Sequence, residues 1–157
     1  MKYSEKKGIE ILKYIISQGL HNKYYILKSI YFADKYHLQH YGRQVNGNNF
    51  YALEYGPVPS EMYAFIKQIQ KGLIDEFSSQ KYNIYCETLP DYNWLSKSDI
   101  EALNYGINEV QGLSMGAVME KSHDTADNMT DENQLITIES IVSQFDNADL
   151  VLEYLHR

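Results

Sequence analysis

The sequence predicts a mainly helical α+β domain: a compact bundle of about six helices around a central helix, residues 23–41, with a small antiparallel β element. Several stretches place apolar residues at helical spacing between capping and stop signals, which favours helices. Two short stretches, Phe50–Tyr55 and Asn83–Glu87, alternate instead as strands do. The length of 157 residues is typical of a single domain, here residues 1–157.

The central helix has the clearest start and stop signals in the chain. Asn22 is a suitable N-cap and Gly42 a suitable stop, which gives a helix of about five turns. Apolar and aromatic side chains occupy two opposite sides of this helix, so we expect neighbours to pack on both sides. These side chains are Leu27, Ile30, Tyr31, Leu38 and Tyr41 in front, with Tyr25, Phe32 and Tyr36 behind.

Asp34 lies at the centre of the front apolar stripe, where a carboxylate is desolvated unless hydrogen-bond donors reach it. We interpret it as an internal anchor that holds a loop or a helix end, since most buried polar groups are paired. The segment Gly56–Ser60 is the first candidate donor, because a helix that begins there offers free N–H groups. A catalytic acid or base is the alternative interpretation of Asp34.

Apolar stripes predict five further helical regions besides the central helix, the last with a break at Asp146–Asn147. These regions are residues 4–19, 60–72, 96–112, 115–121 and 137–155. The two alternating stretches are expected to pair with each other into a sheet of two or three strands. Such a small sheet is only marginally stable by itself and must pack against the helices.

Composition limits the classes of function. The net charge of −7 argues against binding nucleic acid through its phosphates, and it is compatible with a basic protein partner. A solvated acidic surface without a partner is the equally weighted alternative. Fifteen tyrosines are the compositional outlier, and this residue type suits protein interfaces. The exposed tyrosines we expect to meet a partner are Tyr51, Tyr55 and Tyr82, beside the β element.

The chain has no sequence signal for export or for a membrane. Cys86 is the one cysteine, so no disulfide framework exists, and the first residues lack an apolar leader. No window reaches 18 apolar residues, so no membrane span is expected. These observations predict a cytoplasmic protein.

Motifs that carry chemistry are weak. His37 and His40 are three residues apart, which is not the i, i+4 spacing of HExxH zinc enzymes, and the acidic run Asp124–Glu132 lacks the glycine of a calcium loop. No nucleophile elbow, phosphate loop or dinucleotide fingerprint occurs. The sequence therefore predicts no catalytic residues, no metal and no cofactor. An enzyme whose pocket brings Asp34, His37 and His123 together is the rival hypothesis.

Several motifs together resemble the Panacea domain of the SocA-like antitoxin family, which also occurs in phage-associated proteins. The resemblance covers most of the chain, roughly residues 4–145. Its motifs are Tyr31–Leu38, Tyr41–Arg43, Tyr51–Leu53, Gly56–Ser60, Leu95–Ser96 with Asp99, and Leu113–Ser114 leading to Ser122–His123. One departure is that members usually carry a tryptophan shortly after the position of His123, where this chain reads Thr125–Asn128.

The resemblance implies a non-enzymatic antitoxin that neutralises a cognate protein toxin, encoded next to it, by direct binding. The alternatives are an adaptor that delivers the toxin to a protease, or a phage or mobile-element regulator that binds a host factor. The resemblance also implies that the partner cannot be read from the domain, because the family pairs with unrelated toxins. The motif residues interpreted as structural anchors are Asp34, His37, Gly56, Pro57, Ser60 and His123.

Overall fold

The computed structural model describes all 157 residues and contains eight α-helices and five short strands. The helices are α1 (Glu5–Ser17), α2 (Lys23–Tyr41), α3 (Ser60–Gln70), α4 (Lys97–Val110), α5 (Met115–Ser122), α6 (Thr125–Asn128), α7 (Ile138–Val142) and α8 (Ala148–Leu155). The strands are β1 (Phe50–Leu53), β2 (Gly56–Pro59), β3 (Phe77–Gln80), β4 (Asn83–Cys86) and β5 (Leu135–Ile136), and a 3-10 turn spans Tyr92–Trp94. No helix combines the length and apolar character needed to cross a bilayer.

The α+β class is confirmed, and the helix count is higher than the six expected. The difference comes from short helices near the C-terminus. Asp124 accepts a hydrogen bond from the Asp127 N–H and so caps α6, a helix of four residues within the acidic run Asp124–Glu132, for which no helix was predicted. The final helical region divides at Asp146–Asn147, as the sequence indicated, into α7 and α8.

Helix α2 has the predicted bounds and packs against α4 along one side. The Asn22 side chain caps its first turn, and Gly42 ends it in the left-handed conformation with a φ of 73°. Gly106 of α4 lies so close to α2 that a Cβ at this position would be 2.1 Å from the Ser29 carbonyl oxygen. The glycine therefore lets the two helix backbones approach, and the buried apolar side chains of both join one continuous core.

The prediction that Phe50–Tyr55 pairs with Asn83–Glu87 is wrong, because each segment pairs with its neighbour in the chain. Strand β1 forms an antiparallel hairpin with β2 through the turn Glu54–Tyr55 and pairs on its other side with β5. Strand β4 forms a separate hairpin with β3. Pairing across a two-residue turn costs little loop-closure entropy, whereas pairing between the two segments would have to close a loop of about thirty residues.

Asp34 is buried, with a residue exposure of 1%, and it holds a loop as predicted. The Val45 N–H donates to its Oδ1 at 2.8 Å, and the Gln44 side chain donates to its Oδ2 at 3.0 Å. The segment Gly56–Ser60 was the wrong candidate for the donor. Gly42 reverses the chain at the end of α2, so the residues that follow run back along the helix to Asp34.

The loop held by Asp34 also anchors the N-terminus. Asn46 donates from its side chain to the Ser4 carbonyl at 2.9 Å and accepts from the Ser4 N–H at 3.2 Å. Farther along the loop, the Asn48 side chain accepts from the Met62 N–H at the start of α3. One loop thereby connects α1, α2 and α3.

We predict that Asp34→Ala lowers the free energy of unfolding by about 1–3 kcal/mol, because the Val45 and Gln44 donors lose their partner while they stay buried. Urea unfolding at neutral pH measures this change. Asp75→Ala is the matched control, since Asp75 is exposed and its side chain forms no hydrogen bond. A variant at position 34 that unfolds with the wild type would contradict the anchor role.

We also predict that the cost of Asp34→Ala is larger at pH 5.5 than at pH 8. Burial raises the pKa of Asp34 from its ordinary value of 3.8 to about 7. Between these values the folded chain binds a proton that the unfolded chain has lost, so the contribution of Asp34 to stability grows as the pH falls from 7 toward 4. Urea unfolding of both proteins at the two pH values checks this, and an equal or smaller cost at pH 5.5 would oppose it.

Candidate functional site

Four tyrosines and two methionines form a continuous surface beside the N-terminal end of α2. The set, called here the tyrosine surface, is Tyr24, Tyr55, Tyr63, Tyr82, Met115 and Met119. Five of them, all but Tyr82, line an apolar pocket of about 90 Å³. Tyr82 extends the surface, because its ring centroid is 5.6 Å from that of Tyr24. Tyr55 and Tyr82 are 54% and 56% exposed.

Two hairpin turns place the exposed tyrosines. Tyr55 lies in the two-residue turn between β1 and β2, and Tyr82 lies in the turn between β3 and β4, where Lys81 has a φ of 57°. The second hairpin is fixed against the start of α2, since the Lys23 N–H donates to the Tyr82 carbonyl at 2.7 Å. Backbone hydrogen bonds therefore hold these side chains at the tips of fixed turns.

The four tyrosine hydroxyls of this surface have no hydrogen-bond partner within the chain. By contrast, six other tyrosines donate to internal acceptors, and these are Tyr14, Tyr25, Tyr31, Tyr36, Tyr41 and Tyr105. Lysine ammonium groups lie over the rings instead: Lys23 is 5.1 Å from the Tyr24 centroid, and Lys67 is 4.4 Å from the Tyr63 centroid. The surface thus offers large, apolar ring faces with free polar tips.

The structure brings together two of the three tyrosines that the sequence singled out. Tyr51 is the exception, because it lies half-buried in β1, opposite Val58 and Leu135, and does not line the pocket. Sequence reasoning missed Tyr24, Tyr63 and both methionines. Met115 and Met119 are four residues apart and so share one side of α5, which is a signal that the sequence does contain.

A buried lysine lies beneath this surface. Lys28 is 4% exposed, and its Nζ donates to the Pro57 carbonyl at 3.0 Å, which ties the β1–β2 hairpin to α2. Burial lowers the pKa of Lys28 to about 8. Gly56 fits against it only because glycine lacks a Cβ, which here would be 2.8 Å from the Lys28 Nζ and 2.5 Å from the Ser122 Oγ.

His37 anchors the same loop as Asp34. It is fully buried; its Nδ1 is 2.7 Å from the Arg43 carbonyl, which can only accept, so Nδ1 carries the proton. The other ring nitrogen, Nε2, then accepts from the Ser98 hydroxyl at 2.9 Å. Burial lowers the pKa of His37, which agrees with a neutral ring.

The remaining motif residues lie elsewhere. Gly56 and Pro57 belong to the hairpin above Lys28, and Ser60 starts α3, where its hydroxyl donates to the Glu61 carboxylate at 3.0 Å. His123 is partly exposed at the end of α5, and its Nδ1 is 2.6 Å from the Asp127 Oδ2. Asp34 and His37 are sealed in the core, so these two and His123 do not line one cavity.

Asp124 follows His123 but does not orient it. Its Oδ2 accepts from the Tyr31 hydroxyl at 2.6 Å and from the Lys35 ammonium at 2.7 Å, which secures the end of α5 to α2. Thr125–Asn128, where the resemblance leads one to expect a tryptophan nearby, forms α6 with Ala126 fully buried. No three His, Cys, Asp or Glu side chains are arranged to hold a metal ion.

Comparison with known proteins identifies the family. A family model described as "Antitoxin SocA-like, Panacea domain" matches residues 26–127, which extend from the first turn of α2 to α6. The match confirms the resemblance seen in the motifs, and it includes every residue of the tyrosine surface except Tyr24. No curated protein and no solved structure matches the chain.

We predict that Gly56→Ala lowers the free energy of unfolding by at least about 1–2 kcal/mol. Gly56 has a φ of 102°, which an L side chain rarely adopts, and the added Cβ would displace Ser122 and Lys28. Thermal or urea unfolding measures the change. Gly116→Ala is the control, since its added methyl group would meet no atom within 4 Å beyond its chain neighbours and the backbone of its own helix, and alanine favours the helix by about 1 kcal/mol. Equal stabilities for the two variants would contradict this account.

Proposed function

Because the chain belongs to the SocA-like antitoxin family that carries the Panacea domain, we propose that it neutralises a cognate protein toxin by direct binding. The observation that supports this most is the tyrosine surface, which gathers four unpaired hydroxyls, two of them on exposed rings at fixed turns. Tyrosine is enriched in protein interfaces, since it buries a large area at a small cost in side-chain entropy.

The size of the pocket within the surface favours a protein partner over a small molecule. A volume of about 90 Å³ is well below the roughly 300–1,000 Å³ of clefts that hold small-molecule ligands. It suits one apolar side chain of the toxin, with the tyrosine rings around it excluding water. Binding at this surface requires no chemical step, so we propose inhibition by occlusion and no enzymatic activity.

The charge of the chain suits a basic toxin. With a net charge of −7, the chain would attract a cationic partner over a distance of about 8–10 Å at physiological salt. We propose that the two proteins meet in the cytoplasm and that the toxin is encoded beside the antitoxin. The steady-state level of the toxin distinguishes occlusion, which leaves the toxin in place, from delivery to a protease, which removes it.

We predict that replacing Tyr55 and Tyr82 together with alanine weakens toxin binding by about 30–1,000-fold, because interface tyrosines that anchor a partner each contribute about 1–2 kcal/mol. Rescue of growth in cells that express the neighbouring toxin gene is the first measurement. Calorimetry with a purified, inactive toxin variant gives the dissociation constant.

The control is the double variant Tyr92→Ala and Tyr154→Ala. These tyrosines are 56% and 53% exposed, which matches Tyr82 and Tyr55, but they lie on other parts of the surface. Both double variants must keep the wild-type melting temperature within a few degrees. A Tyr55 and Tyr82 variant that rescues growth as fully as the control would exclude the tyrosine surface as the contact site. A wild-type chain that rescues no neighbouring toxin would refute the antitoxin proposal.

A further inference from the structure

A second, acidic cleft adjoins the tyrosine surface. Its volume is about 290 Å³, and its lining residues include Leu53, Glu54, His123, Asp127 and Glu132. Leu53 also lines the apolar pocket, so the pocket and the cleft share one wall. No lysine or arginine lines the cleft, and His123 is its one basic side chain.

Asp127 has an oxygen atom that nothing in the chain satisfies. The residue is 6% exposed; its Oδ2 is paired with the His123 Nδ1, while its Oδ1 is buried without a hydrogen-bond partner. The nearby ammonium of Lys28 donates to the Pro57 carbonyl and forms no ion pair with Asp127. Burying an unpaired carboxylate oxygen costs free energy, in agreement with the pKa of Asp127, which burial raises. Asp127 lines the cleft, so a donor that enters there would remove this cost once the side chains that cover the oxygen move aside.

The rim of the cleft adds two unpaired carboxylates. Glu54 and Glu132 are exposed, and neither forms a hydrogen bond or an ion pair within the chain. Together with Asp127, they give the cleft three carboxylates from separate parts of the chain. A cationic group with several donors in a fixed plane fits such an arrangement better than a single point charge does.

We propose that this cleft receives an arginine side chain of the toxin, whose guanidinium donates to the Asp127 Oδ1 and to the rim carboxylates. This inference rests on the proposed function and specifies the partner. Since Leu53 separates the cleft from the apolar pocket, one segment of the toxin fills both, with an apolar residue near the arginine.

A titration without any toxin tests the site itself. N-acetyl-arginine amide is added to the ¹⁵N-labelled full chain, and the amide chemical shifts are followed by NMR. We expect saturable shifts at Leu53–Tyr55, His123 and Asn128–Glu132, which weaken as salt is raised. N-acetyl-citrulline amide has nearly the same shape without the charge, and we expect no saturable shift from it.

Charge variants assign the interaction to the cleft. The pair Glu54→Gln and Glu132→Gln should weaken arginine-amide binding at least 3-fold and toxin binding at least 10-fold. The control pair Glu87→Gln and Glu153→Gln removes the same charge from exposed carboxylates that have no partner, and it should change neither affinity. Asp127 is left intact, because it also holds His123.

Each remaining outcome counts against one proposal. Absence of saturable shifts, equal shifts with citrulline amide, or shifts elsewhere on the chain would overturn the arginine site and leave the antitoxin proposal standing. Unchanged toxin affinity in the Glu54 and Glu132 variant would also overturn it. If the wild type binds the arginine amide but no toxin, the proposed function fails instead.

Discussion

The hydrogen bonds of the Asp34 carboxylate are the interaction on which the rest of the structure depends. A carboxyl group buried in the middle of the central helix must be compensated, and the loop after Gly42 supplies a donor to each oxygen. The loop is therefore held in one path along α2. From that path its later residues reach the N-terminus and the start of α3, so one buried acid determines where three helices meet.

A second buried acid extends this arrangement to α4. Asp99 is 1% exposed and lies 2.9 Å from the Lys7 ammonium and 3.1 Å from the Arg43 guanidinium. It also accepts from the Ser96 N–H and so completes the capping box of α4. Together, Asp34 and Asp99 connect α1, α2 and α4 through hydrogen bonds and ion pairs, each of which requires a particular donor. Apolar packing alone is less specific and would allow the helices to shift along one another. Rigid positions for Tyr24 and Lys28 on α2 follow from this, and preorganised groups lose less entropy on binding.

Local signals in the sequence predicted the elements well, and long-range pairings poorly. The bounds of α2, with Asn22 as its N-cap and Gly42 at its end, follow from spacing and capping chemistry, which act within one turn. The burial of Asp34 followed from helical periodicity. Its donors depend on the path that the chain takes after Gly42, which helical periodicity does not predict. Strands β1 and β4 were located but paired wrongly, and β2 and β5 were not predicted, since the alternation of residues does not show which strand is the neighbour.

The candidate site was predictable only in part for the same reason. Tyr55 and Tyr82 are separated along the chain and meet because two hairpins converge at the start of α2. His123 pairs with Asp127, four residues on, and Asp127 was not singled out from the sequence. The tyrosines of the site lie off the core-facing stripes, where a single sequence gives no measure of which exposed residues share a surface.

The two hairpin tips have a consequence for how such a protein changes over time. Backbone hydrogen bonds and the buried acids stabilise the conformation of the turns, and the side chains at the tips contribute little to this stability. Mutations at these tips can therefore accumulate with small effects on folding, while each one alters the shape offered to a partner. A scaffold organised in this way can acquire a new target by drift at a few exposed positions, without first rebuilding its core.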